Sequence, residues 1–423
     1  MGYKFGFKVG NLRDMNFFEH VGWSRSANIY EVNVRQYTPE GTFNAFAAHL
    51  PRLQQMGVQI LWFMPIQPIG KLKRKGKLGS YYAVSDYAAV NPEFGSLNDF
   101  KALVKQAHEM GMKVILDWVA NHTAWDHVWV KKHPDWYLKN EKGEIHSYRY
   151  DNGTEIEDWS DVVGLDYAKP AVWKAMTEAM THWVKTTDID GFRCDVASLL
   201  PLDFWKQTRV QLDAIKPVFM LAESADPQLH AHGFDMTYDW SLQEVLKKIA
   251  AGKADARDVK DYVQSSQQKL PADAYRMTFT ANHDTNSWHN HDAAHFGDAF
   301  PAMAVLAATL PGMPMIYSGQ ESGLHKKLSF FEKDTIDWQS FKFEKLYTTL
   351  LALKKKHPAL HNGSVGAPVE IFEVENTNVL AFRRQKGINV VSVQLNLSAQ
   401  NQSFNLHGKP RKLSAWEYQI QTN

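Results

Sequence analysis

Four short segments of this chain carry acids, a base and a guanidinium at spacings that suit bond-breaking chemistry. Asp117-Trp-Val-Ala-Asn121-His122, Gly191-Phe-Arg193-Cys-Asp195, Leu221-Ala-Glu223 and Asn282-His283-Asp284 each close a short β-rich run. Side chains alternate between the two faces of a strand, so Arg193 and Asp195 share one face while Phe192 and Cys194 share the other. An opposite charge within ~4–6 Å favours an ionised carboxylate, so Arg193 is expected to hold Asp195 as the anion that a nucleophile must be. Asp195 and Glu223 lie 28 residues apart, the length of one strand–helix unit, which places them on adjacent strands. Carboxyl groups so placed suit the ~5–5.5 Å separation at which one attacks an anomeric carbon while the other donates and then removes a proton. Neighbouring negative charge is expected to raise the pKa of Glu223 and keep it protonated for the acid step. Asp284 is suited to stabilising an oxocarbenium-like centre through ring hydroxyls. Structural ion pairs could explain any one of these carboxylates, but they explain the whole constellation poorly. Cys194, the single cysteine, falls on the helix-facing side and is expected to be structural; alone, it excludes an intramolecular disulfide framework.

Groups gathered on one rim need elements that converge there. Short β-rich runs at 29–33, 60–64, 114–117, 191–195, 218–223, 234–237, 275–280 and 315–318 alternate with amphipathic stretches at 44–56, 97–110, 171–185, 202–215, 243–250 and 302–310. Eight strands with intervening helices predict an α/β fold, a (β/α)8 TIM barrel whose functional groups sit at the C-terminal strand ends. An open doubly wound sheet is the alternative, although no G-x-G-x-x-G turn occurs. Some fifty residues rich in Trp, His, Asp, Asn and Gly separate Asp117 from the helix opening near Pro170. A structureless loop of that length is improbable, so a small subdomain inserted after strand 3 is expected. Beyond a last helix at 343–357, turn-separated runs at 369–374, 378–383, 389–395 and 402–406 predict a C-terminal all-β sandwich domain. The expected division is a barrel over 1–121 and 167–357, an insertion over the cleft at 122–166, and the β domain at 358–423.

Composition narrows the partners. Lys and Arg number 47 against 46 Asp and Glu, a net charge of +1, which excludes a general nucleic-acid binder. The longest apolar run, 302–310, stops at Pro311, far short of the ~18 residues of a membrane span. The first twenty residues hold no apolar core of signal-peptide length, so a cytoplasmic protein, or one whose signal has been removed, is expected. The 14 Trp residues suit either a large aromatic core or platforms for the flat apolar faces of sugar rings. Trp125, Trp129, Trp136, Tyr137, Tyr148, Tyr150 and Trp159 all fall in the insertion, and one or two are expected to line the cleft. The basic run at 70–77 lacks the glycine spacing and the Ser/Thr of a phosphate loop and is expected to be a solvated loop. Lys354, Lys355 and Lys356 are expected at the exposed end of a helix, where positive charge favours the dipole. His283, Asp284, His289, His291, Asp292 and His295 form a cluster without an H-E-x-x-H pattern, expected to be a polar loop rather than a metal site.

In this order, the catalytic segments resemble the α-amylase family, glycoside hydrolase family 13. The first looks like that family's D-x-x-x-N-H region, the second its G-x-R-x-D region, and Phe279-Thr-Ala-Asn282-His283-Asp284 its F-x-x-N-H-D region, with GVQILWFMP at 57–65 and GMPMIYSGQE at 312–321 as flanking matches. The resemblance implies Asp195 as nucleophile, Glu223 as general acid/base, Asp284 as transition-state stabiliser and Arg193 as the residue that positions the nucleophile. His122, His283 and Asp117 would bind the sugar at the cleavage point, with Tyr82 stacked beneath it. It also implies the barrel, the insertion after strand three and the C-terminal β-sandwich. A structural calcium, which takes 6–8 oxygen ligands, would use Asn121, Asp166 and a carbonyl near Leu199; no organic cofactor is expected.

Departures from the family pattern bear on specificity. Ser198-Leu199 stand where family α-amylases often carry Lys-His, and Tyr82-Ala83 stand where exo-acting α-glucosidases read Tyr-Asp, which favours an open cleft. Only about 25 residues precede strand one, fewer than the extra domain of many cyclomaltodextrinases. The expectation is a monomeric, retaining hydrolase of α-1,4-glucosidic bonds in starch or maltooligosaccharides. The alternatives are a cyclomaltodextrinase- or neopullulanase-like hydrolase, an α-glucan transglycosylase, and a catalytically inactive carbohydrate-binding member.

Overall fold

The computed structural model describes residues 18–423. Eight strands close into a ring: β1 Ile29–Val32, β2 Ile60–Phe63, β3 Lys113–Trp118, β4 Gly191–Cys194, β5 Phe219–Ala222, β6 Met236–Tyr238, β7 Tyr275–Thr278 and β8 Met313–Tyr317. Every neighbour pair is parallel, and β1 closes the barrel by setting Ile29 opposite Met315 of β8 and Ile60 of β2. The strands are buried along almost their whole length because helices cover one face and the packed barrel interior covers the other. Gly191 opens β4 at φ 154°, where a Cβ would lie 1.8 Å from the Phe219 carbonyl oxygen. Only glycine lets β4 approach β5 so closely.

The surrounding helices are α1 Leu50–Met56, α2 Leu97–Glu109, α3 Pro170–Thr187, α4 Leu202–Asp213, α5 Trp240–Ala250, α6 Ala256–Lys269, α7 Phe300–Thr309 and α8 Glu344–Lys356. Helix α2 starts at a capping box, in which the Ser96 side chain accepts from Asp99 N–H and the Asp99 side chain from Ser96 N–H. Helix α6 has no counterpart among the expected helices. It opens on the same device, Asp255 with Asp258, but among its described residues only Val259, Tyr262 and Val263 are buried apolar side chains.

Two basic segments make contacts that were not expected. The loop at 70–77 is mostly exposed, as expected, but it is also tied to the insertion. Lys75 pairs with Asp158 at 3.3 Å and Asp161 at 3.4 Å, Lys73 sits 3.4 Å from the Trp125 ring centre, and Lys71 and Leu72 donate backbone N–H groups to Asp126. Lys354 is buried, not exposed: it lies on the barrel side of α8 with Leu350 and Leu351, and its Nζ donates to the carbonyls of Gly312 (2.8 Å) and Leu360 (2.7 Å).

Between β3 and α3 the chain forms a short antiparallel pair, His122–Ala124 with Val162–Gly164, a helix Val128–Lys132, and a small hairpin of Tyr150–Asp151 with Ile156–Glu157. Trp129 packs edge-on against Trp136 and tilted against Tyr87, so these rings form the core beneath the insertion. After α8 come β9 Glu370–Ile371, β10 Val379–Lys386, β11 Asn389–Asn396, β12 Gln402–Leu406, β13 Lys409–Leu413 and β14 Tyr418–Thr422. They form a four-stranded antiparallel sheet, β9-β10-β11-β14, and a separate β12-β13 hairpin. Alternation along β10 sends Leu380 and Phe382 into the main core and Val379 and Ala381 onto Phe404, Leu406 and Leu413 of the hairpin. Strands β13 and β14 were not expected; β13 is polar and largely exposed, while β14 is half-buried, with Tyr418 and Ile420 on the main core. Among the described residues, no helix is long and apolar enough to cross a membrane.

Candidate active site

The parallel register sets Asp117 of β3 beside Arg193 of β4. Arg193 is fully buried, and its guanidinium organises the rim. One terminal nitrogen donates to Asp117 Oδ1 and to Asp195 Oδ1, both at 3.0 Å, and Nε donates to the Tyr238 hydroxyl at 3.1 Å. The other terminal nitrogen lies 2.9 Å from Glu223 Oε1, an ionic contact whose geometry is not that of a hydrogen bond. Asp195 and Glu223 therefore face the same space across a single cation.

Glu223 is held from a second direction by Val196 N–H, which donates to Oε2 at 2.8 Å. Val196 follows Asp195 in a left-handed conformation, φ 39° and ψ 44°, that a β-branched residue rarely adopts. The strain of such a residue is of order 1–3 kcal/mol and persists only where its surroundings impose it. Here it aims an amide at the carboxyl of the adjacent strand.

A second chain of contacts runs through Tyr82. Its hydroxyl donates to Asp117 Oδ2 at 3.0 Å and lies 2.8 Å from His283 Nε2, with the two rings near parallel at 5.5 Å. Asp117 Oδ2 also accepts from the Trp62 indole at 3.2 Å. His283 Nδ1 meets Glu31 Oε1 at 2.5 Å, and Asp284 Oδ2 stands 3.3 Å from Nε2. Burial pulls the His283 pKa down, but Asp284 and Glu31 overcome it and push the imidazole up to about 9. The imidazolium then donates from Nδ1 to Glu31 and from Nε2 to the Tyr82 oxygen.

The carboxyl groups outnumber these cations. Burial raises Glu223 to about 7 against the pull of Arg193, with the charges of Asp195 and Asp284 adding to the rise. Burial likewise raises Asp195 and Asp117 to about 6 each, Arg193 opposing. Neighbouring charge was the expected cause for Glu223, but loss of water is the larger one. For the same reason Arg193 does not hold Asp195 in the ordinary carboxylate range.

The structure brings Asp117, Arg193, Asp195, Glu223, His283, Asp284 and Tyr82 into one network. His122 lies beside it at the base of the insertion, kept neutral by burial with its pKa lowered to about 3, in reach of the Tyr82 backbone and edge-on to Trp159 at 5.3 Å. Of the insertion aromatics, Tyr150 feels the charges of both Glu223 and Asp195 and is backed by Trp159 at 4.7 Å. Trp125 is covered by Lys73. Sequence reasoning missed Glu31, Trp62 and Tyr238. Glu31 did carry a signal, as an acid inside the apolar run IYEV, because a buried charge requires a partner.

Of the expected calcium ligands, the Asn121 amide nitrogen lies 3.2 Å from His122 Nδ1 and Asp166 Oδ1 accepts from Ala168 N–H at 3.0 Å, contacts that use neither Asn121 Oδ1 nor Asp166 Oδ2. Among the described residues, no three His, Cys, Asp or Glu side chains gather closely enough to share a metal, the histidines near Asp292 included.

Known proteins resemble this chain in sequence and fold. A family model described as "Alpha amylase, catalytic domain" matches residues 7–357. The crystal structure of an alpha-amylase from Lactobacillus plantarum is 29% identical with a TM-score of 0.83, over 95% of this chain and 99% of that one. A maltogenic alpha-amylase from Thermotoga neapolitana is also 29% identical, with a TM-score of 0.81 over 95% of this chain and 97% of that one. Among curated relatives, an alpha-1,4-glucan:maltose-1-phosphate maltosyltransferase of Rhodospirillum rubrum is 29% identical over 87% of this chain and 56% of its own length. The chain thus spans about half the length of curated relatives such as this one and a Haloarcula japonica alpha-amylase, of which it covers 57%.

Proposed function

Because this chain belongs to the alpha-amylase family, glycoside hydrolase family 13, we propose that it hydrolyses α-1,4-glucosidic bonds in starch or maltooligosaccharides with retention of configuration. The observation that carries this reading is the single guanidinium facing both Asp195 and Glu223, with burial raising Glu223 to about 7 and Asp195 to about 6. Glu223 gives its proton to the glycosidic oxygen as Asp195 attacks the anomeric carbon, and the leaving sugar departs with that proton. Glu223, now a carboxylate, takes a proton from water, whose oxygen displaces Asp195 and restores the starting configuration. Tyr82, held flat on His283, offers its face to the sugar at the cleavage point. Asp284, 3.3 Å from His283 Nε2, holds that sugar's hydroxyls as charge develops, while His283 positions Tyr82.

A second reading, transfer to a sugar acceptor, shares the first step. It is favoured by the maltosyltransferase relative and by Leu199, an exposed apolar side chain where family α-amylases often carry a polar pair. Products from maltoheptaose, pullulan and cyclodextrin, with and without added maltose, separate the two. Shorter maltooligosaccharides released as α-anomers are expected. Products longer than the substrate would favour transfer, and β-anomers would contradict both.

A further inference from the structure

Trp288 is half exposed, and among the described residues no other tryptophan is as open. It stands four residues after Asp284, in a π-helical turn, Thr285–His289, of the kind often found at functional sites. Its ring packs on Phe330 at 4.9 Å and on Phe331 at 5.6 Å. Phe330 in turn lies parallel to Tyr82 at 6.3 Å and near parallel to His283 at 6.5 Å. Tyr82, Phe330 and Trp288 therefore make one continuous aromatic run from the cleavage point outward. This run is rigidly built. Asn286 donates to the Lys326 carbonyl at 3.2 Å and accepts from Leu328 N–H at 2.9 Å, which joins the loops after β7 and β8. Behind them, Leu78 N–H donates to the Phe331 carbonyl at 3.0 Å and Lys77 N–H to Glu332 at 2.9 Å. No packing need within the chain explains an exposed indole at the end of such a brace. A flat apolar partner does, and a preorganised platform binds one with little ordering cost.

We propose that Trp288 is a stacking platform for a glucosyl unit of an α-glucan, on the non-reducing side and beyond the unit under attack. The side follows from the neighbours: Trp288 is reached through Phe330 from Tyr82 and His283, which surround the unit under attack, and not from Glu223, which protonates the leaving sugar. This inference rests on the hydrolase reading.

Its test uses α-glucosyl, α-maltosyl and α-maltotriosyl fluorides, whose sugars fill only the non-reducing side because fluoride is the leaving group. For Trp288→Ala, the loss in kcat/KM should grow with length, from within about threefold on glucosyl fluoride to about tenfold or more on the longer donors, as expected for losing one aromatic stack. Trp288→Phe should recover most of that loss. A loss equal on all three fluorides, or no loss, would overturn the platform. Calorimetric binding of maltotetraose in a Glu223→Gln background separates the two readings. If the wild type turns over no fluoride or glucan, the hydrolase reading fails, but the platform still stands if Trp288→Ala weakens binding about tenfold and falls if it does not.

Discussion

Glu31, His283, Asp284, Asp195, Glu223, Asp117 and Arg193 bring five carboxyl groups and two cations onto one rim, so not every acid can be charged at neutral pH. Burial raises Glu223 to about 7 and Asp195 to about 6, with Arg193 shared between them. The expected pH profile of kcat/KM is a bell whose acid limb falls near pH 6, as Asp195 gains a proton, and whose alkaline limb falls near pH 7, as Glu223 loses one. The two limbs belong to the coupled set rather than to either residue alone. An alkaline limb near the ordinary glutamate pKa, in rates measured from pH 4 to 9, would contradict this assignment. The sequence motifs showed which residues share the rim. They could not show Glu31 as partner of His283, because the contact joins β1 to the loop after β7, or burial as the main cause of the carboxyl shifts.

At the scale of elements, the placing of Asp195 beside Glu223, the proposed catalytic pair, depends on how closely β4 and β5 approach. Gly191→Ala would place a Cβ 1.8 Å from the Phe219 carbonyl oxygen, at a φ of 154° that alanine disfavours. The expected result is a loss of at least several kcal/mol of stability, with overpacking and backbone strain adding, read as a large drop in denaturation midpoint or as insoluble protein. A midpoint near that of the wild type would contradict the close-approach account. The eight barrel strands were legible because each is a short buried run ending in turn or functional residues. Helix α6 was not, since it buries only Val259, Tyr262 and Val263 within a polar sequence; its Asp255–Asp258 capping box was the available signal. Strand β13 hid for the same reason, as it is polar and largely exposed, and β14 because its five residues bury only Tyr418 and Ile420 in part.

The whole molecule is tied together at its C-terminal end by two buried basic side chains. Lys354 donates to the carbonyls of Gly312 and Leu360, and Arg384 to those of Ala367 and Thr309, which links α8, α7 and the approach to β8 to the C-terminal sheet. Burial drives the Lys354 pKa well down. The folded state therefore binds fewer protons than the unfolded one, and stability contributed at this site rises with pH until the unfolded lysine also loses its proton near ~10.4. His283 acts oppositely: raised to about 9, its contribution is full below the ordinary histidine pKa and is lost as pH rises through about 9. Comparing Lys354→Met with the wild type cancels the histidine term. Urea unfolding at pH 7 and pH 9 should show the wild type gaining stability relative to the variant at the higher pH. An unchanged or reversed difference would mean that the lysine is charged when folded. The tryptophan surplus, ambiguous in composition alone, serves the core first: Trp62, Trp118, Trp183 and Trp205 are fully buried, and among the described residues Trp288 is the most exposed tryptophan.

The division of labour between Asp195 and Glu223 is the central claim, and azide rescue of their alanine variants tests it most directly. Both Asp195→Ala and Glu223→Ala should fold, with melting temperatures near that of the wild type, and should lose at least about 10²–10⁴-fold in rate on maltooligosaccharides. With an activated aryl α-maltoside, azide should restore turnover to Glu223→Ala as the α-glycosyl azide and to Asp195→Ala as the β-glycosyl azide, since only the former retains the nucleophile. The same anomer from both variants, or near-normal hydrolysis by either, would contradict the account.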